Sequence, residues 1–384
     1  MKQFPFIIVL SLVSSIDVLS QEMISPDEKG LHFNGQLSGY SNFAPDNHLD
    51  FLAGGRYIPE LRYTLALDTS STLDFLGSAN IFGSSAFHPF DSANNTGDIS
   101  AYRVWARLTG EQYEIRLGLQ KIDFGVATVL RPLQWFNQVD PRDPLGITNG
   151  VYGGLARYYF LNNANLWFWV LYGNKNTKGF ELLPTNQSIP EIGGRAQLPI
   201  PKGEIGLTYH YRVADSQGIS EIPSYEKIPE NRFGLDVKWD VTVGLWLEFS
   251  HITKSKNLGL LTNQTLINVG TDYTFGIGSG LNVVVEHLLG SYDEKAFQFQ
   301  EVSNTTAITL AYPISFFDHL SVVSTYNWNS HTGSFFLNYE HQFKKFAGYI
   351  MPYYNPATPQ GLIKRDIQYS TTGPGIRLMI VYNH

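Results

Sequence analysis

Cysteine is absent from all 384 residues, which excludes disulfides, thiolate metal sites and a lipid anchor on a terminal cysteine. Charge is scarce as well: Asp, Glu, Lys and Arg make up 16% of the chain, below the usual quarter or so. The formal net charge of -7 leaves no basic footprint for nucleic acid. Long apolar runs are missing beyond the amino terminus, since the densest, LWFWVLY over 166–172, is only strand-sized. A mean hydropathy of -0.13 excludes a bundle of transmembrane helices.

The amino terminus reads as an export signal. MKQFPFIIVLSLVSSIDVLSQ has Lys2, an apolar core from Phe4 to Val13, and the small residues Val18 and Ser20 before a cleavage point near Gln21. Residues 1–20 are therefore expected to be a secretory signal peptide, and 21–384 the mature chain. A buried first helix fits worse, because the stretch is short and Ser-rich and a polar segment follows it.

From about residue 31 onward the chain alternates with a period of two, in about 18 segments that fit a strand template. Tyr113, Ile115, Leu117 and Leu119 alternate with Glu114, Arg116, Gly118 and Gln120. Leu61, Tyr63, Leu65 and Leu67 stand against Glu60, Arg62 and Thr64, and Tyr102, Val104, Ala106 and Leu108 against Arg103, Trp105 and Arg107. Segment 166–172 is apolar on both faces, and 346–353 could run in either phase. Connections alternate too: tight turns near Asp68, Gly110, Asn162, Pro199, Asp240 and Gly278 are followed by long segments around 83–97, 121–150, 174–189, 213–230, 253–263 and 289–303. Only the loop near Asn329 is short where a long one is expected. Short turns on one side and long loops on the other define a barrel across an outer membrane; a sandwich gives no reason for that order. The expected fold is thus all-β, an antiparallel up-and-down transmembrane barrel of about 18 strands, within 16–20. Tyr63, Tyr102, Tyr113, Tyr211, Trp239, Phe249, Tyr273, Tyr312, Tyr326, Phe343 and Tyr382 at outward strand ends suit the interfacial girdles. The competing reading, core aromatics of a soluble β-protein, would need all these half-apolar strands to share one core.

If the apolar face meets lipid, the polar face lines the lumen. That phase turns Arg62, Arg103, Arg107, Arg157, Arg195, Arg212, Arg232 and Arg377 inward, with Glu114, Arg116, Asp236 and Lys238 beside them, and Glu248, Asp272, Glu286 and Glu340 on later strands. An Arg-rich wall facing a carboxylate-rich one would orient charged solutes, and guanidinium suits carboxylate or phosphate. The plainer alternative is that these charges pair across strands and fill the lumen. The longest connection, KIDFGVATVLRPLQWFNQVDPRDPLGITNGVYGG over 121–154, lacks regular periodicity, and connections of that length are usually functional or disordered. Its Trp135 and Phe136 argue against disorder. It is expected to fold into the barrel as a constriction, with Arg131 and Trp135 in it and Asp140, Arg142 and Asp143 near the narrowest point; a cap over the mouth is the alternative.

The stretches LGLQKIDFG, LRPLQWFNQVDPRDPL and the terminal GIRLMIVYNH resemble porin-like outer-membrane barrels of Gram-negative bacteria, especially those of Bacteroidota, and more distantly the alginate-export type. The resemblance implies an outer-membrane location, outer-membrane lipid and the barrel assembly machinery as partners, and, through the alginate-export type, an anionic polysaccharide as solute. Such barrels commonly finish with an aromatic residue, whereas here Asn383 and His384 follow Tyr382.

Enzymatic chemistry has little to stand on. No Ser and His pair has the spacing of an outer-membrane hydrolase; His210 faces inward, while His251, His287, His331 and His341 sit near strand ends. No metal-ligand spacing occurs, and GIGSG is a tight turn without the Lys-Ser/Thr of a phosphate loop. No cofactor is expected. The sequence thus reads as a non-enzymatic channel for polar, preferentially anionic solutes, with homo-oligomerisation open. The rivals are a plugged barrel serving as a subunit of an outer-membrane assembly or secretion complex and, behind it, an outer-membrane hydrolase.

Overall fold

The computed structural model describes residues 30–89, 93–219, 222–356 and 371–384; the signal-peptide stretch 1–20 lies outside them. Strands β1 (Gly30–Phe43), β2 (Phe51–Ala66), β3 (Thr72–Phe87), β4 (Ala93–Thr109), β5 (Tyr113–Gln120) and β6 (Val151–Tyr159) are followed by β7 (Asn165–Leu171), β8 (Glu191–Ile200), β9 (Gly203–Ala214), β10 (Ile228–Asp240), β11 (Gly244–Lys254) and β12 (Asn263–Phe275). The chain continues through β13 (Leu281–Asp293), β14 (Glu301–Pro313), β15 (Asp318–Asn327), β16 (Thr332–Gln342), β17 (Phe346–Asn355) and β18 (Gly373–Asn383). Each strand pairs antiparallel with the next, and β18 pairs back onto β1, from Gln36 opposite Asn383 to Phe43 opposite Ile376. Closure leaves the sheet no lipid-facing edge, which is the condition for a β-structure to span hydrocarbon.

Orientation follows the alternation. Leu31, Phe33, Leu61, Tyr63, Ile115, Leu117, Phe168, Leu207, Ile350, Leu378 and Ile380 point outward and are exposed, forming the apolar band that a bilayer covers. Tyr63, Tyr113, Trp239, Tyr273, Tyr326, Phe343 and Tyr382 stand exposed on that outer surface. The two ambiguous strands resolve. On β7, Leu166, Phe168 and Val170 face out while Trp169 and Leu171 are buried inside; on β17, Phe346, Ile350 and Tyr354 face out while Tyr349, Met351 and Tyr353 are buried inside.

Short turns at 67–71, 110–112, 160–164, 201–202, 241–243, 276–280, 314–317 and 343–345 gather at one rim; the other rim carries the remaining connections, of which only 88–92 and 328–331 are as short. Two expected loops are shorter than 83–97 and 289–303, because β3, β4, β13 and β14 run on into them, leaving 88–92 and 294–300. Tyr102 is a second correction. The β3–β4 register shifts at Ser78/Ala79, so that Ser78 faces Arg103 and Ala79 faces Ala101, which leaves Tyr102 as an extra residue in β4. Its hydroxyl accepts from the Thr148 amide, so the ring belongs to the lumen side and not to the outer girdle.

Gly118 shows how tightly the wall is built. Its φ is +123°, and a Cβ there would lie 2.2 Å from the Val104 carbonyl oxygen across the ladder. A side chain combines backbone strain with a clash, a loss of about 2–4 kcal/mol. Gly118→Val is expected to abolish the heat-modifiable gel mobility of the folded barrel, whereas Gly39→Val, where a Cβ meets open space, keeps it.

Candidate functional site in the lumen

The 121–150 segment enters the barrel and is fastened to one wall after another. Leaving β5, Phe124 stacks on Trp169, and Phe124, Trp135 and Phe136 pack with Ile122, Val151, Leu155 and Leu171 against the inner face of β6 and β7. Next, the backbone amides of Val126, Ala127 and Leu133 donate to the Glu248 carboxylate on β11. On β13, Glu286 accepts from the amides of Thr128, Val129 and Leu130 and from the Thr128 hydroxyl, at 2.6 to 3.1 Å. Asn268 of β12 donates to the Leu130 carbonyl at 2.8 Å, and Trp135 Nε1 donates to Ser250 Oγ at 3.1 Å. Leu130 packs with Leu266, Leu288, Ala307 and Val323. Further along, Arg142 reaches Asn355 at the top of β17, and Leu145 packs on Phe336, Met351 and Met379. The segment leaves beside β4, where Arg103 donates to the Thr148 hydroxyl at 2.5 Å and to the carbonyls of Thr148 and Asn149. Its partners on β4, β6, β7, β11–β13 and β17 are side chains of the inward phase.

A second segment, 172–190, also turns inward and is held by charge. Glu181 sits between Arg212 at 3.3 Å and Arg232 at 2.7 Å, while Glu230 takes Arg212 at 2.6 Å and Arg232 at 2.7 Å, with Lys254 3.7 Å away. Every member of this cluster is nearly or fully buried, which is tolerable only because each charge meets an opposite one. Next to it, buried His210 accepts the Trp169 indole N–H at Nδ1, which leaves its Nε2–H to donate to Glu191 at 3.1 Å. Phe180 and Leu183 carry the segment's apolar contacts.

The inward side chains divide into two arcs. From β8 to β13, Arg195, Thr208, Arg212, Arg232, Asp236, Glu248, Asn268 and Glu286 are covered by the two segments. From β14 through β16 and around β1 to β4, Ser321, Asn338, Glu340, Glu60, Arg62, Trp105 and Arg107 keep partial exposure. On the inserted segment itself, Lys121, Asp123 and Arg131 form a partly open cluster, with Arg131 to Asp123 at 2.7 Å and Lys121 to Asp123 at 3.3 Å.

The expected lumen residues do face inward, but most have protein partners. Arg62 pairs with Glu60 at 2.9 Å, Arg107 holds Asp74 through two nitrogens at 3.0 and 3.1 Å, and Arg195 grips Asp236 at 2.5 and 2.8 Å. Glu114 lies 2.9 Å from Arg116 and 3.7 Å from Arg157, whose guanidinium covers the Trp167 ring. Buried Arg377 approaches the Tyr40 ring, Glu340 faces His319 across the ladder, and Asp272 faces Gly244 near the short-turn rim. Glu248 and Glu286 bind loop amides, so they do not form an open acidic wall opposite the arginines.

Within the inserted segment, Asp140 and Arg142 pair at 2.5 and 2.8 Å near the long-loop rim, and Asp143 accepts the amides of Leu145 and Ile147 as a turn brace. Trp135 is buried as an anchor. Burial raises the Asp140 carboxyl and Arg142 lowers it more, so the net shift is below the ordinary range; Asp123 is lowered in the same way, against burial, by Arg131 and Lys121. The sequence alone does not mark Arg56, Asp74, Glu181, Glu230 or Lys254 as members of the site. Arg56 and Asp74 occupy the same inward phase as their neighbours, whereas Glu181 carries no periodic signal because it lies in a connection.

No protein-family model matches the chain, and no curated protein does. Among solved structures it superposes on OccAB1 of Acinetobacter baumannii, with a TM-score of 0.55 at 9% identity over 92% of this chain and 96% of that one. OccK5 (OpdH) of Pseudomonas aeruginosa gives 0.53 at 12% identity, over 92% and 98%. The anion-selective porin of Comamonas acidovorans gives 0.50 at 14% identity, over 92% and 99%. The architecture is therefore that of the Gram-negative outer-membrane porins, and at these identities the likeness is one of fold.

Glu286 tests the fastening. Glu286→Ala strands several buried donors at about 1–3 kcal/mol each. The inserted segment is expected to leave its seat while the barrel stays closed, seen as new chymotryptic cleavage after the otherwise buried Trp135 and Phe136 with the folded gel mobility kept.

Proposed function

We propose that the protein is a porin-like channel of the bacterial outer membrane, exported behind residues 1–20, which passes polar solutes by passive diffusion and favours anionic ones. The observation that carries the preference is the composition of the less covered arc. On β1–β4, Arg62 and Arg107 keep 21% and 15% side-chain exposure beside Glu60 at 28%, while Arg56, Arg103 and, on β18, Arg377 are buried, as is Asp74. Guanidinium groups replacing part of an anion's hydration lower its entry cost while the paired carboxylates keep binding weak enough for release. The depth of the filling by 121–150 and 172–190 favours small solutes over a polymer; an alginate-like chain, as the alginate-export resemblance suggests, needs the inserted segment to move. On this reading the partners are outer-membrane lipid, the assembly machinery that inserts the barrel, the solute and, in a homo-oligomer, further copies. The same filling favours a second reading, a non-conducting barrel that serves a larger envelope assembly.

Planar-bilayer recording under a potassium chloride gradient separates the two. The channel reading expects stable openings whose reversal potential reports anion preference, moved toward zero by Arg56→Gln with Arg62→Gln. A correctly folded barrel that never conducts overturns it in favour of the second reading.

A further inference from the structure

Strand β4 is far longer than its neighbour on one side. It pairs with β5 only from Val104 to Thr109, but with β3 from Ala93 to Thr109. Arg103 and Tyr102, just above the end of β5, are taken up by the inserted segment through Thr148 and Asn149. Above them, Ala93–Ala101 has β3 on one side, and among the described residues no backbone partner on the other. In an antiparallel strand about half the amides and carbonyls point to each side, so this stretch offers a row of open donors and acceptors. Every residue in it except Thr96 is exposed. Edge strands are usually blunted by Lys, Pro, a bulge or a covering loop, yet Ala93–Ala101 contains no Lys, Arg or Pro, and the bulge lies below it at Tyr102.

The edge stands in water on the outer side. Outward residues at the height of 95–97 are Gly83, Ser85, Asn95 and Gly97, and only above them, opposite Ala93, does an aromatic row of Phe87, Phe51 and Phe43 face out at the rim. The boundary is the cross-strand row Tyr57, Ile81 and Ile99, with Ile99 75% exposed. Long connections mark the extracellular rim of such barrels.

A second copy in the same membrane does not fit this edge. Two copies would be related by an axis along the membrane normal, and strands tilted by about 35–45° would then cross at roughly twice that angle, which forbids a ladder. We propose that Ala93–Ala101 receives an extended polypeptide segment of an extracellular partner, which adds a strand beside β4. Asp98 is the only charge on the edge, so a basic side chain opposite it and an apolar one beside Ile99 complete the match. The proposal is independent of what the lumen conducts.

The test uses the full barrel in detergent and, as probe, a fluorescein-labelled ten-residue peptide of alternating Val and Thr with a central Lys, read by anisotropy and by amide hydrogen exchange. Expected are fast exchange of alternate amides over 93–101 in the free barrel, their protection by the peptide, and binding weakened roughly tenfold by Thr96→Lys with Ser100→Lys. The substituted barrel keeps its folded gel mobility, and a peptide with a central Glu binds less tightly. Edge amides already slow without peptide, no protection at saturating peptide, or equal binding by the Lys variant each overturn the proposal. A peptide-free dimer protecting the same amides would overturn the choice of occupant.

Discussion

Everything else in the molecule depends on the pairing of β18 with β1. A sheet in hydrocarbon has no water to satisfy an unpaired edge, and each orphan backbone group would cost several kcal/mol. Closing the ring removes that cost along the membrane-spanning height and assigns every strand one face to lipid and one to the lumen. Charge then has only one place to go. Arg62, Arg107, Arg195 and Arg232 point inward because the outer face admits no charge, and once inside they must find partners or water.

The lumen solves that requirement differently on its two sides. Beneath the inserted segments, ion pairs such as Arg195 with Asp236 and Arg232 with Glu181 are sealed off, and two glutamates serve as acceptors for irregular backbone. Irregular chain at membrane depth is tolerated where it is buried in protein and its amides are satisfied, and Glu248 and Glu286 meet that condition for 126–133. On the other side, Arg62 and Arg107 are paired but still meet solvent. Rigid filling and a wetter arc of paired charges thus coexist in one cross-section.

The fold was legible in the sequence because lipid enforces a period of two, as in YEIRLGLQ, and because turn lengths betray which rim they occupy. Where the lumen face packs against inserted chain, the signal fades. Trp169 and Leu171 on β7, or Met351 and Tyr353 on β17, are apolar for the segments that cover them, so both faces look alike. A strict period of two turns Tyr102 outward, because one extra residue reverses the phase without a mark in the residue types. Inward residues of the site could be named from phase alone, but their pairing could not. Glu181 meets Arg232 across 51 positions of chain, from a connection that has no period. Asp143, in DPRDP, looks like a lumen charge and is a turn brace.

The contact between Thr128 and Glu286 joins residues separated by 158 positions. Such a contact closes a very long chain loop, whereas neighbouring strands close only short ones. The inserted segment is thus held by a strand far along the chain, and its seat is complete only where β5–β7 and β11–β13 stand together in one ring. The barrel consequently encloses a guest that belongs to its own chain, and the width of the interior is set by a contact between parts of the sequence far apart.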